Sequence, residues 1–360
     1  MIDTPARLQL SHRAAQLPAS PIRKLVPFQE QAVARGIRVF HLNIGQPDIP
    51  TPPVFFEAIE GANLKVLDYT HSAGTRSFRE KLAAYYSRMA PGLTADDVLT
   101  TTSGSEAIRF AMMTCLDPGD EVLVIEPTYA NYRSFALEAG ATLRALTSRV
   151  EDDFALPPVE ELAAAVGPRT RALLLCNPSN PTGKLYSPDE LEAIRSLVQQ
   201  HGLYLFSDEA YGEFVYDGLP YTSALALAGI EEQVLVIDTL SKRYSACGSR
   251  IGALITRNRT VWGAALKFAQ ARLSPPTLGQ IGGEALLELP DSYYAEVRAE
   301  YARRRDFVLD ALRRMPGVVV PQVSGAFYVM PKLPIDDSDR FCQWLLESFD
   351  HQGRTVMLAP

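Results

Sequence analysis

The sequence predicts an α/β fold with a mostly parallel sheet, joined by a second, smaller α+β domain. Between residues 98 and 256, short β-rich runs alternate with helical patterns. Several of these runs are nearly continuous in apolar residues, as strands buried on both faces of a parallel sheet require. After Pro276 the pattern changes to long charged helical stretches, which indicates the second domain.

The predicted strands of the first region lie at residues 98–102, 121–126, 172–177, 203–208, 234–239 and 250–256. Helical patterns lie between them, for example at 105–116 and 188–201. Because strands and helices alternate in this way, neighbouring strands are expected to run parallel, with helices sandwiching the sheet.

The second region predicts a helix at 292–315, a strand at 317–328, and a helix at 338–349 with Ser338 as its N-cap. Residues 22–40 hold one amphipathic helix and a strand that belong with it.

We place the large domain at residues 49–289 and the small domain at residues 1–48 and 290–360. A strand-like run at residues 355–358 ends the chain, and we expect the small domain to be cut short there.

Composition excludes several classes of partner. The chain has 360 residues, is 47% hydrophobic and carries a formal net charge of −7. This acidic balance predicts no binding to nucleic acid or anionic lipid. No window is apolar enough to cross a bilayer, and residues 1–10 lack the apolar core of a signal peptide. We therefore expect a cytoplasmic protein.

The four cysteines and five histidines show no spacing typical of metal ligands. We expect neither a metal site nor a disulfide framework. Glycine-rich nucleotide-binding motifs and the GxSxG motif are absent as well.

Lys242 follows the apolar run 234–239, at the strand end where ligands of α/β sheets bind. With Arg250 nearby, its amine can have a depressed pKa and form a Schiff base with an aldehyde. Thr239, Ser241 and Arg250 can donate hydrogen bonds to a phosphate. A surface lysine in a turn is the alternative interpretation of this motif alone.

Two other strand ends carry polar motifs. Ser103, Gly104 and Ser105 lie between a strand and a helix, where backbone N–H groups bind phosphate, although a simple helix cap also explains them. Asp208 ends the run 203–208, and its carboxylate can either pair with a cofactor's ring nitrogen or belong to an acidic loop.

The remaining motifs follow two further strands. Asn180 lies in the loop 177–183, which two prolines and a glycine make rigid. Tyr129 follows the strand at 121–126 and can stack on a planar ring or fill the core. A lysine, a carboxylate, a phosphate cradle, an aromatic ring and an asparagine at five strand ends favour one shared site.

In this combination, the sequence resembles the class I and II aminotransferases, pyridoxal 5′-phosphate (PLP) enzymes of fold type I, and within them the bacterial aspartate and aromatic types. The resemblance covers residues from about 21 to 360. It rests on residues 43–48, Tyr69 with Gly74, 103–105, Tyr129, 180–183, Asp208 with Tyr211, and 239–242 with Arg250. It implies transfer of an amino group between a small amino acid and a 2-oxo acid.

The resemblance also implies residue roles. Lys242 would hold PLP as a Schiff base and then act as general base, and Asp208 would bind the pyridine nitrogen. Asn180 and Tyr211 would contact the phenolic oxygen and lower the pKa of the imine. The groups implied to hold the phosphate are Ser103, Gly104, Ser105, Thr239, Ser241 and Arg250.

Three further roles follow from the resemblance. Tyr129 would stack on the cofactor ring, and Gly45 with Asn180 would line the substrate pocket. Tyr69 would reach the cofactor phosphate of the neighbouring subunit, because this family builds its sites across a homodimer interface.

Two departures from the family pattern concern the substrate. At the position of Ser105, similar bacterial aspartate aminotransferases have a lysine that binds the distal carboxylate, so aspartate is less expected here. The family's arginine for the substrate α-carboxylate should follow Pro360, and we expect this sequence to lack it.

The shared residues leave two alternatives open. Another PLP reaction on the same scaffold, such as C–S β-lyase chemistry, would release pyruvate or a thiol instead of consuming a 2-oxo acid. A non-catalytic PLP-binding regulator usually has a DNA-binding module in front. Because only about twenty residues precede the family region here, this alternative is less favoured.

Overall fold

A computed structural model describes residues 9–18, 20 and 22–360. The prediction of no signal peptide, made from residues 1–10, falls mostly outside this range. Residue 21, where the family resemblance begins, also lies outside the described residues.

In the described chain the strands are β1 (Arg38–His41), β2 (Val98–Thr101), β3 (Glu121–Glu126), β4 (Thr142–Thr147), β5 (Thr170–Cys176), β6 (Tyr204–Asp208), β7 (Val234–Thr239), β8 (Gly252–Ile255) and β9 (Arg354–Met357). The α-helices are α1 (His12–Gln16), α2 (Val26–Ala34), α3 (Val54–Gly61), α4 (Arg76–Ser87), α5 (Ser103–Cys115), α6 (Asn131–Ala139), α7 (Val159–Ala165), α8 (Pro188–His201), α9 (Leu240–Arg243), α10 (Arg259–Arg272), α11 (Thr277–Leu286), α12 (Asp291–Arg313) and α13 (Ser338–Glu347).

Seven strands form one sheet in the order β2-β8-β7-β6-β5-β3-β4. The pairs among β3, β4, β5, β6 and β7 are parallel, whereas β8 runs antiparallel to both β2 and β7. Every residue of β2, β7 and β8 is buried. The predicted α/β class with a mostly parallel sheet is therefore confirmed.

Local sequence signals fix the helix ends. At α8, the Ser187 side chain accepts from the Glu190 backbone N–H, and the Glu190 carboxylate accepts in return from the Ser187 N–H. Pro188 occupies the first helical position, where its missing N–H costs nothing. Gly202 ends the helix at a φ of +63°, a left-handed conformation that glycine adopts without a steric penalty.

The sheet register aligns the strand ends that matter for the site. Cys176 at the end of β5 pairs with Asp208 at the end of β6. Asp208 pairs in turn with Ile237 of β7, and Thr239 at the end of β7 pairs with Gly252 at the start of β8. The residues that follow β5, β6 and β7 therefore leave the sheet at a common edge.

The described chain divides into two compact units. One comprises the described residues up to Ile44 together with Ala130–Glu138 and Ile335–Pro360, and the other comprises Gly45–Tyr129 and Ala139–Pro334. The domain division at residues 48/49 and 289/290 stays a prediction.

In the first unit, β1 and β9 pair in parallel and α2 packs against α13. Leu25, Cys342, Leu346 and Met357 form a small apolar core there. The Arg35 guanidinium donates to the Leu346 carbonyl at 2.7 Å, which ties α2 to α13.

Two local predictions are wrong. Residues 317–328 form no strand, only isolated bridges at Val319 and Gly325. Ala326 in this segment has a φ of +54°, which is incompatible with extended backbone. The N-cap of α13 is Asp337, whose carboxylate accepts from the Arg340 N–H at 2.9 Å, and Ser338 is the first helical residue.

Candidate active site

Lys242 lies in the short helix α9, directly after β7, and its amine is held inside the protein. Thr239 caps this helix: its Oγ1 accepts from the Ser241 N–H at 3.2 Å and donates to the Ser241 Oγ at 2.8 Å. The Lys242 Nζ donates to the Gly45 carbonyl at 2.8 Å.

Burial lowers the pKa of Lys242, and Arg250 acts in the same direction, whereas Cys247 and Asp208 oppose the shift. The environment therefore makes the amine easier to deprotonate than an ordinary lysine. A neutral lysine amine is the nucleophile that attacks an aldehyde.

The first turn of α5 packs directly against the ends of β7 and β8. A Cβ on Gly104 would lie 3.3 Å from the Ile237 Cγ2 and 3.7 Å from the Thr239 Cβ. A Cβ on Gly252 would lie only 2.6 Å from the Ser103 carbonyl carbon and 2.7 Å from the Gly104 nitrogen. The absence of a side chain at position 252 thus allows the N-terminus of α5 to approach β8 and Thr239.

Arg250 completes this corner of the site. It has a φ of +55°, and its Nη1 donates to the Cys247 carbonyl at 2.9 Å. Because Thr239 pairs with Gly252, Arg250 lies two residues from the sheet partner of Thr239. The structure therefore brings the predicted phosphate residues to one sheet edge: Ser103, Gly104, Thr239, Ser241 and Arg250.

Asp208 lies at the neighbouring strand end. Its Oδ1 accepts from the Ala210 N–H at 3.2 Å, and its charge raises the pKa of Lys242 against the effect of burial. Asn180 Nδ2 donates to the Tyr211 hydroxyl at 3.3 Å. Burial raises the pKa of Tyr211 well above its ordinary value, with a smaller contribution from Asp208, so the phenol keeps its proton.

Backbone hydrogen bonds hold the loop that presents Asn180. The Asn177 N–H donates to the Asp208 carbonyl at 3.0 Å, which joins the loop to the end of β6. Within the loop, the Ser179 N–H donates to the Lys184 carbonyl at 2.8 Å, and the Gly183 N–H donates to the Ser179 carbonyl at 3.0 Å. The predicted rigid loop thus places Asn180 beside Tyr211.

Three predicted residues lie at the margin of this cluster. Ser105 is in the first turn of α5, and Tyr129 lies beyond β3, close enough to influence the pKa of Tyr328. The Tyr69 side chain is 78% exposed within a single chain. Its predicted role therefore depends on a partner subunit.

The sequence analysis missed Glu209, a buried acid that follows Asp208. Its Oε1 accepts from the Ser207 Oγ at 3.1 Å, the Ser223 Oγ at 3.0 Å and the Ala224 N–H at 2.8 Å. Burial raises the pKa of Glu209 to about 7, although these hydrogen bonds favour the charged form. The sequence did contain a signal for this buried acid. Successive residues of a strand face opposite sides, so only one of the adjacent acids Asp208 and Glu209 can face the site.

Tyr328 was also missed. Its hydroxyl lies 2.6 Å from the Tyr211 hydroxyl, and the two rings meet edge to face with centroids 5.4 Å apart. The only sequence signal was an aromatic pair, Phe327 and Tyr328, placed shortly after Gly325 within a segment that was predicted to be a strand.

The groups at this sheet edge fit a flat, phosphorylated aldehyde. Hydroxyls, a guanidinium and the N-terminus of α5 suit a phosphate. A buried amine with a lowered pKa suits the aldehyde, and a carboxylate at the next strand end suits a protonated ring nitrogen. The glycines at 104 and 252 leave the cradle free of side chains. The fold and this set of groups define a PLP-dependent enzyme of fold type I.

Comparison with known proteins identifies the family. Residues 37–351 match the model of the aminotransferases of class I and II, so the chain belongs to this family and is a PLP-dependent transaminase. It is 31% identical to the aspartate aminotransferase of Thermotoga maritima over 98% of this chain and 90% of that protein.

Two further proteins show the same similarity. The aspartate/prephenate aminotransferase of Thermus thermophilus is 32% identical over 87% of this chain and 82% of its own length. A solved structure of a single mutant of the Thermus thermophilus aspartate aminotransferase superposes with a TM-score of 0.90 at 30% identity, covering 98% of this chain and 91% of that one.

The described residues contain neither a membrane-spanning helix nor a cluster of metal-binding side chains. None of the helices there is both long and apolar enough to span a membrane. In the same residues, no group of three or more His, Cys, Asp or Glu side chains is arranged to hold a metal ion.

Proposed function

We propose that Lys242 carries PLP in this transaminase and moves the proton at the substrate α-carbon. The observation that supports this role most directly is the environment of the Lys242 amine. It is partly buried, its pKa is lowered, and among the described contacts it donates a hydrogen bond only to the neutral Gly45 carbonyl. A neutral amine can accept the α-proton and return it. When bound, PLP supplies an electron sink for bond breaking at the α-carbon.

The neighbouring side chains take the roles that their chemistry suits. Asp208 keeps the pyridine nitrogen protonated, and Asn180 and Tyr211 donate to the phenolic oxygen. Tyr129 stacks on the ring, and Gly45 and Asn180 face the substrate. The residues that hold the phosphate are Ser103, Gly104, Ser105, Thr239, Ser241, Arg250 and the partner's Tyr69.

The amino donor that we propose is a small, uncharged amino acid. The family resemblance implies a lysine for a second carboxylate in aspartate aminotransferases at the position where this chain has Ser105. A serine hydroxyl cannot neutralise a carboxylate, and an unpaired charge in a desolvated site is costly.

A panel of amino acids tests the substrate class through the spectral change of the bound cofactor in single turnover. Alanine-sized donors should react faster than aspartate. The Ser105→Lys variant should raise kcat/KM for aspartate by roughly tenfold or more relative to a neutral donor. Ser105→Thr, which keeps the hydroxyl, is the control. Preference for aspartate in the unmodified protein would contradict the proposal.

We propose further that the enzyme is a homodimer with shared sites. An apolar stretch before Gly74 is strongly exposed in the single chain: Val66 is 67% exposed, Leu67 61% and Tyr69 78%. Contiguous exposed apolar residues of this kind mark a protein–protein interface. A second copy of the chain bound at this surface would also bring Tyr69 to the other subunit's site.

Hybrid dimers test this arrangement. Mixing a Tyr69→Phe chain with a Lys242→Ala chain creates one site in which both positions are native. Its activity should exceed that of either parent. Hybrids that are no more active than the parents would argue against a shared site, and a monomer in solution would argue against the dimer itself.

A cytoplasmic location is also proposed. Cys115, Cys247 and Cys342 are free thiols, which suits a reducing compartment.

A further inference from the structure

The Tyr211 hydroxyl has two hydrogen-bonding neighbours among the described residues. Asn180 Nδ2 donates to it at 3.3 Å, and the Tyr328 hydroxyl lies 2.6 Å away, where either phenol can be the donor. A phenol has one proton to donate and lone pairs to accept with. If Tyr211 donates to Tyr328, its only proton is used within the protein. If Tyr328 donates instead, the Tyr211 proton is free for a ligand.

We propose that Tyr328 is a positioning residue that donates a hydrogen bond to the Tyr211 hydroxyl. The Tyr211 O–H group is then left to donate a hydrogen bond to the phenolic oxygen of the cofactor. This inference rests on the role proposed above for Tyr211. An O–H group that accepts a hydrogen bond becomes a better donor, because the bonds polarise one another in a chain. Tyr328 would thus strengthen the bond that Tyr211 makes to the cofactor without touching the cofactor's phenolic oxygen itself.

The structure holds Tyr328 in place from two sides. The Gly325 N–H donates to the Gly183 carbonyl at 2.9 Å, and the Ala326 N–H donates to the Phe214 carbonyl at 2.9 Å. Ala326 has a φ of +54°, a left-handed conformation that is unfavourable for an alanine. Strained backbone of this kind persists where the surroundings impose it, and it clusters at functional sites.

Gly45 explains how the Tyr328 hydroxyl reaches its position. A Cβ at residue 45 would lie 1.9 Å from the Tyr328 hydroxyl oxygen, so no side chain fits there while Tyr328 holds its place. The carbonyl of the same glycine accepts from the Lys242 Nζ at 2.8 Å. Gly45 is therefore the residue that brings the hydroxyl pair and the reactive amine together.

The test compares Tyr328→Phe, Tyr211→Phe and the double variant in the cofactor-loaded protein. The measured quantity is the apparent pKa at which the absorbance of the Lys242-linked cofactor changes. A bond to the phenolic oxygen lowers that pKa. Tyr328→Phe should therefore raise it by roughly half a unit to one unit, and Tyr211→Phe should raise it further. In the Tyr211→Phe background, loss of the Tyr328 hydroxyl should add nothing.

Tyr301→Phe is the matched control, because Tyr301 belongs to the same aromatic cluster and its buried hydroxyl has no hydrogen-bond partner among the described residues. It should leave the titration unchanged. Thermal unfolding of the cofactor-free native protein, the two single variants and the double variant adds a second readout. The decreases in Tm caused by Tyr211→Phe and Tyr328→Phe should be less than additive, because each change removes the same hydrogen bond.

Three outcomes would overturn the proposal. An unshifted titration in Tyr328→Phe would show that its hydroxyl has no influence on the cofactor. An equal shift in the presence and absence of the Tyr211 hydroxyl would show that Tyr328 acts by another route. A shift in Tyr328→Phe with none in Tyr211→Phe would refute the role of Tyr211 and, with it, the relay. The transaminase assignment survives all three.

Discussion

Lys242 and Arg243 are adjacent cations with opposite surroundings. The Arg243 guanidinium forms a bidentate pair with Asp238 at 2.8 and 2.7 Å, and Asp238 also accepts from the Tyr86 hydroxyl at 3.0 Å. Lys242 has only the neutral Gly45 carbonyl as a hydrogen-bond acceptor among the described contacts.

The pKa values of the two residues move in opposite directions as a result. Burial lowers the pKa of Lys242. Burial also acts against the charge of Arg243, yet Asp238 holds the pKa of Arg243 well above its ordinary value. A buried cation that is paired with a buried carboxylate keeps its charge, whereas one without a counter-ion gives up its proton more easily.

The largest effect is expected at Lys242. Lys242→Ala should reduce transamination by roughly 10⁴-fold or more, because it removes both the attachment point and the general base. The absorbance of the lysine-linked cofactor should disappear, while the unfolding midpoint of the cofactor-free protein should change little. An unchanged absorbance spectrum would refute the assignment of Lys242.

Asp208→Asn should keep the fold and still bind PLP, but lose roughly 10²–10⁴-fold in kcat, because the carboxylate acts on the electronics of the ring in the transition state. Single-turnover kinetics with a saturating donor measure this loss. Asp217→Asn, which changes an exposed carboxylate that pairs with Arg305, is the control. Near-normal turnover in Asp208→Asn would mean that Asp208 is only a loop acid.

Breaking the buried ion pair between Arg243 and Asp238 should reduce the stability of the fold. Arg243→Met leaves the Asp238 carboxylate buried and unpaired, which should lower the free energy of unfolding by about 3–5 kcal/mol. Denaturant unfolding of the cofactor-free protein measures this. The double variant Arg243→Met, Asp238→Asn should recover part of the loss, because no buried charge remains. A single variant as stable as the native protein would contradict the comparison.

Glu209 is a buried acid whose effect on the stability of the fold should depend on pH. Its pKa is about 7 in the folded protein, above the ordinary value near 4.3 in an unfolded chain. As the pH rises between these values, the unfolded chain releases its proton first, so the carboxyl increasingly destabilises the fold, by about 3 kcal/mol once the pH exceeds 7. Below pH 4 both states are protonated and the cost vanishes.

Glu209→Gln keeps an acceptor for the three donors and removes this titration. Its stability relative to the native protein should therefore improve by roughly 2 kcal/mol between pH 5 and pH 8. Urea unfolding at the two pH values checks this, with the exposed Glu57→Gln as control. A gain that does not depend on pH would show that the carboxyl is charged in the fold.

The sequence predicted the fold, and it allowed candidate site residues to be named, because strand ends have local signals. The apolar runs of β3 and β7 were predicted with their observed bounds, and the polar residues that follow β7 and β6 mark the edge. β4 was missed because its residues are largely exposed and include Arg144, so it lacks the apolar run of a central strand.

The missed parts depend on contacts between distant residues. Nothing near Tyr328 in the sequence indicates that its hydroxyl lies against Tyr211, which is 117 residues earlier. The different surroundings of Lys242 and Arg243 were also not predicted, because the sequence analysis did not consider Asp238. They follow from Asp238 and Thr239 facing opposite sides of β7, which places a carboxylate beside one cation and not beside the other.

The antiparallel pairing of β7 and β8 has a consequence for the order in which the protein folds. The short connection between β7 and β8 carries Ser241 and Arg250 and begins at Thr239, which pairs directly with Gly252. Closing a short loop costs little chain entropy, so this half of the proposed phosphate site can assemble early from local contacts. Ser103 and Gly104 must join from a remote part of the chain at a higher entropic cost. The anion site should therefore reach its full donor set only when the central sheet itself is complete.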